Sequence, residues 1–74
     1  MTPEELGTFF MKHGYHLKGK SYISPSGEVK YKLAKNSLQK FRKGTYNPWV
    51  KLWTAYYKDI SVNTEGKLHI AKVI

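Results

Sequence analysis

From Val29 to Ala34 the chain reads Val-Lys-Tyr-Lys-Leu-Ala, with Val29, Tyr31 and Leu33 alternating with Lys30, Lys32 and Ala34. Period-two alternation is the pattern of a strand with one face on a core and the other in water. Just before it stands Ser24-Pro25-Ser26-Gly27. Proline presets the φ that the second position of a turn needs, and glycine can take φ > 0 where the chain re-enters the sheet. The stretch Ser21 to Phe41 therefore predicts a strand, a type I turn with a glycine bulge, a second strand and the start of a helix. Asn36 or Ser37 can cap that helix, in which Leu38 and Phe41 share one side while Lys40, Arg42 and Lys43 point away. On this reading the solvent sides of hairpin and helix are both basic, and Lys30, Lys32, Arg42 and Lys43 border one surface.

Elsewhere the punctuation is equally local. Thr2-Pro3-Glu4-Glu5 combines an N-cap, a proline at the first helical position and a glutamate at the third, which predicts a capping box. Leu6, Phe9 and Phe10 follow on one side, and Gly14 can end the helix. Tyr15 to Leu17 is a candidate short strand. Downstream, Asn47 and Pro48 can open another helix, with Gly44 ending the one before it. Trp49, Leu52, Trp53, Tyr56 and Ile60 recur at helical spacing, so this helix is expected to bury Trp53. Asn63-Thr64-Glu65-Gly66 predicts a second hairpin turn, with Val73 and Ile74 docked into a sheet. The expected order is α-β-β-α-α-β-β: a single α+β domain with an antiparallel sheet packed by helices.

Seventy-four residues make one small domain with a thin core. Thirteen Lys and Arg against five Asp and Glu give a formal net charge of +8, a dense positive surface for so short a chain. Such a surface points first to nucleic acid and next to an acidic protein. No acid occurs between Glu28 and Asp59, while that interval holds Lys30, Lys32, Lys35, Lys40, Arg42, Lys43, Lys51 and Lys58. Tyr31, Tyr46 and Trp49 are interleaved and can stack on bases if exposed. The apolar stretches are too short to span a bilayer, and the acidic N-terminal segment is unlike a secretory leader, so a cytoplasmic protein without membrane contact is expected.

The residue types needed for catalysis are sparse. Glu4 and Glu5 are accounted for by the capping box, Glu28 and Glu65 sit beside turn glycines, and Asp59 ends the last expected helix. His13 and His16 bracket Gly14 and so form no i, i+4 metal pair. There is no cysteine and no glycine-rich phosphate loop. The expectation is a non-enzymatic protein without cofactor or metal.

The piece Tyr22 to Phe41 also resembles the small modules attached to phage HNH homing endonucleases, through Ser24, Pro25, Gly27, Glu28, Asn36, Leu38 and Phe41. These correspond to an SPxG hairpin followed by a strand and a helix start, and cover about a quarter of the chain. The catalytic His-Asn-His pattern is absent, so the resemblance implies DNA contact without cleavage and a phage or mobile-element setting. The sequence thus predicts nucleic-acid binding, DNA ahead of RNA, by Lys30, Lys32, Lys35, Lys40, Arg42, Lys43, Tyr46 and Lys51. The alternative is a host-protein inhibitor that meets an acidic partner with the same face.

Overall fold

The computed structural model describes residues 1–46 and 48–74; the expected Asn47 cap lies outside the described residues. Among these the order is α1 (Pro3–Lys12), β1 (His16–Lys18), β2 (Ser21–Ile23), β3 (Val29–Leu33), β4 (Ser37–Arg42), β5 (Val50–Tyr56), a 3-10 turn (Tyr57–Asp59), β6 (Ile60–Val62) and β7 (Leu68–Ile70). Strands β1 to β5 form one antiparallel meander in sequence order, and β6 pairs with β7 in a separate hairpin. The α+β order with three helices is therefore wrong. Among the described residues there is one α-helix, and the domain is mainly β.

The local turn and cap signals are where the sequence puts them. Thr2 caps α1 reciprocally: its hydroxyl accepts from the Glu5 N–H, and the Glu5 carboxylate accepts from the Thr2 N–H. The Thr2 N–H, donating to the carboxylate, is the main cause that holds the Glu5 carboxyl below its usual pKa. The β2–β3 turn is closed by the Gly27 N–H donating to the Ser24 carbonyl, with Gly27 at φ 78°. The β6–β7 turn repeats this arrangement, with the Gly66 N–H donating to Asn63. There the Asn63 side chain accepts from the Glu65 and Lys67 amides.

Two expected helices are strands. Ser37–Arg42 is β4, the strand between β3 and β5, and Asn36 lies in the tight turn that the Ala34 N–H closes onto the Ser37 carbonyl. Leu, Gln, Lys and Arg are good helix formers, but pairing on both edges overrides that preference. Leu38 and Phe41, three apart, would share a helix side; in β4 they fall on opposite faces of the sheet.

The second misreading has a sharper cause. In β5 the register with β4 shifts between Lys40 and Phe41: Lys40 opposes Trp53, Phe41 opposes Lys51, and Arg42 opposes Val50. This bulge gives β5 one extra residue, so Val50 and Trp53 share a face although they are three apart. The stripe expected of a helix is dispersed by the strand: Trp53 and Tyr56 fall on opposite faces, and Leu52 sits at the bulge, 45% exposed. Trp53 is half-buried, not fully buried, and packs beside Tyr31 at 6.2 Å between ring centroids.

The core lies on one side of the meander. Leu6 and Phe10 of α1 are fully buried, with Tyr31, Leu38 and Ala55 of the sheet and Ile60 of β6. Phe10 stacks on Tyr31 at 4.7 Å between centroids and touches Tyr15 and Tyr22 at 5.2 and 5.4 Å. Gly7 faces the sheet so closely that a Cβ there would stand 2.7 Å from the Tyr22 hydroxyl oxygen. Val73 and Ile74 are exposed and extend no strand; the tail is tied to β5 by the Ile74 N–H donating to the Thr54 carbonyl.

Candidate nucleic-acid interface

Register and alternation divide the meander into two faces. On the side of α1, Leu17, Tyr22, Tyr31, Lys40 and Trp53 form one cross-strand row. Leu33, Leu38 and Ala55 form a second, and Val29, Arg42 and Val50 a third. All the buried strand residues of the meander, Tyr31, Leu38 and Ala55, are on this face.

The opposite face is open. One of its rows runs Lys18, Ser21, Lys32, Gln39, Thr54, and the next runs His16, Ile23, Lys30, Phe41, Lys51. None of these residues is fully buried. The face carries Lys18, Lys30, Lys32 and Lys51 and no acid. No carboxylate belongs to its strands: Glu4 and Glu5 are in α1, Glu28 in the β2–β3 turn, Asp59 in the 3-10 turn and Glu65 in the β6–β7 turn.

Three rings border these lysines. The Lys30 ammonium lies over both the Phe41 ring, 4.8 Å from its centroid, and the Trp49 ring, at 4.7 Å. Phe41 and Trp49 are half-buried. At the end of β5, Tyr56 opposes Ser37 on the same face and is 45% exposed, with the Lys58 ammonium 5.8 Å from its ring centroid.

Of the expected binding residues, the structure brings Lys30, Lys32 and Lys51 together on this face. Lys40 and Arg42 are on the other one, and Lys40 lies over the Tyr31 ring at 5.6 Å. The supposed joint surface of Lys30, Lys32, Arg42 and Lys43 is thus divided, because the segment expected to cross the hairpin as a helix is a strand within the sheet. Lys35 is in the β3–β4 turn, while Lys43 and a fully exposed Tyr46 are in the β4–β5 connection. Tyr31 is buried against Phe10 and cannot stack on a base, and burial raises its hydroxyl pKa. Lys18, Phe41 and Tyr56 escaped the sequence reading. Only the strand registers align them: Phe41 with Lys30 through β3–β4, Tyr56 through β4–β5, and Lys18 through β1–β2.

No family model, curated protein or solved structure matches the chain. The chemistry of the face therefore has to be read from its own side chains. Lysines offer mobile point charges that suit phosphate oxygens, and exposed rings offer flat apolar surfaces. Among the described residues no group of three His, Asp or Glu side chains is placed to hold a metal ion, and no helix is long and apolar enough to cross a membrane.

Proposed function

We propose that this protein binds nucleic acid through the open face of the meander, with Lys18, Lys30, Lys32 and Lys51 contacting phosphates. The observation that supports this reading is the separation of charge: four lysines and three rings share a face whose strands carry no carboxylate, while the five acids lie in α1 and in turns. A surface of one sign gains free energy from release of the counterions condensed on a polyanion. Binding, not catalysis, is the activity assigned to the face, and DNA is the first polymer to try.

Salt dependence tests the mechanism. Each phosphate contact should contribute about 0.7 to 0.9 to the slope of log affinity against log salt, so four lysines predict a slope of roughly 3. A complex whose affinity hardly changes between low and physiological salt would contradict phosphate contact. Absence of binding at low salt to duplex DNA, single-stranded DNA and RNA would overturn the proposal, and binding of an acidic protein by the same lysines would replace it.

A further inference from the structure

We infer that the Phe41–Lys30–Trp49 cluster is a base-stacking slot for single-stranded nucleic acid, held in the free protein by the Lys30 ammonium. The inference rests on the proposed function and adds the class of polymer and the residues that select it.

Shape disfavours a duplex in its grooves. Five strands at about 4.8 Å spacing place the outer strand axes roughly 19 Å apart, whereas the major groove of B-DNA is about 12 Å wide and admits a helix or a two-stranded ribbon. The helix that could enter a groove, α1, covers the other face and begins with Glu4 and Glu5. A duplex lying on the open face would meet its lysines through phosphates and leave Phe41 and Trp49 idle. A single strand has unpaired bases to lay on those rings.

The position of Lys30 gives the slot its mechanism. Its ammonium is 4.8 Å from the Phe41 centroid and 4.7 Å from the Trp49 centroid, so it occupies the space that a stacked base would use. An exposed cation–π contact is worth about 0.5–1 kcal/mol, and stacking of a base on an aromatic side chain about 1–3 kcal/mol. Lys30 gives up two such contacts when a base takes the rings, and its displaced ammonium turns to the adjoining phosphate, so stacking and the new phosphate contact together favour the exchange. Lys32 on the same strand and Lys51, opposite Phe41, flank the slot and can hold the neighbouring phosphates.

The experiment compares a single-stranded oligothymidylate with a duplex of equal phosphate number, for the wild-type chain, Phe41→Leu and Trp49→Leu. Leucine keeps apolar bulk and removes the ring, and thermal melting of each variant verifies the fold. The expected result is preferential binding of the single strand, weakened about 5- to 100-fold by either substitution. Duplex binding and the salt slope should be nearly unchanged. In a Trp53→Phe background, titration with the single strand should quench the emission of Trp49. If the duplex binds as tightly, or the leucine variants lose both polymers alike, the slot is refuted while phosphate binding by the face stands. If neither polymer binds the wild-type chain at low salt, the proposed function fails as well.

Discussion

The two faces of the meander are made by the same five strands, often by adjacent residues, and have opposite physical roles. Tyr31 is 8% exposed beneath Phe10, whereas its neighbours Lys30 and Lys32 look the other way. In β4, Leu38 is fully buried and Phe41 lies under the Lys30 ammonium. The covered face uses its rings for packing; the open face leaves rings among charges. The contrast shows that aromatic content alone does not distinguish a covered face from an open one. The parity of a residue along its strand does.

The largest difference between the faces should appear in stability. Phe10→Ala removes the ring that joins Tyr15, Tyr22 and Tyr31, and should cost about 3–5 kcal/mol, a large part of the stability of a small domain. Lys32→Gln on the open face should change it by less than about 0.5 kcal/mol. Denaturant unfolding of both variants checks this, and comparable losses would erase the distinction.

Binding should reverse that ranking. The double reversal Lys30→Glu/Lys32→Glu should weaken nucleic-acid binding by at least about tenfold, because it replaces two phosphate contacts with two repulsions. Arg42→Glu/Lys43→Glu alters net charge equally and should have a several-fold smaller effect, since Arg42 belongs to the other face. Fluorescence anisotropy at one fixed salt concentration measures both. Equal losses would mean that net charge, not the face, governs attraction.

A smaller effect sharpens the account of the covered face. Burial raises the pKa of Tyr31 above the ordinary 10.0. The folded state therefore favours the neutral phenol, and the unfolded chain loses its proton first. The associated stability is fully present below the ordinary value and declines as pH rises through the higher folded one. Tyr31→Phe should lose less stability than wild type between about pH 9 and 11, measured by denaturant unfolding across that range. Tyr15 and Tyr57, also raised chiefly by burial, leave a residual slope in the variant.

Those faces were only half legible in the sequence. Signals contained within a few residues were reliable: the Thr2–Glu5 capping box, the Ser24–Gly27 and Asn63–Gly66 turns, and the alternation of β3. Each depends on chemistry that neighbours in the chain complete by themselves. The readings that failed needed a partner strand. Leu38 and Phe41 suggest a helix until β3 and β5 pair with β4, and Trp49, Leu52, Trp53 and Tyr56 suggest another until the register with β4 puts Trp53 and Tyr56 on opposite faces. Once both segments were read as helices, Lys40 and Arg42 joined Lys30 and Lys32 on an imagined surface. The basic, acid-free interval was visible, but the face each lysine occupies was not.

The most direct test of the central claim is a comparison of two variants with the same net charge. One replaces Lys18, Lys30, Lys32 and Lys51 with Gln; the other replaces Lys12, Lys40, Arg42 and Lys67. Each removes four positive charges, and the second set lies in α1, on the covered side of β4 and in the β6–β7 turn. Affinity for a single-stranded oligonucleotide at one fixed salt concentration is the quantity to measure. Loss of binding in the first variant, with the second within several-fold of wild type, is the predicted result. Equal affinities for the two variants would contradict the assignment of binding to the open face.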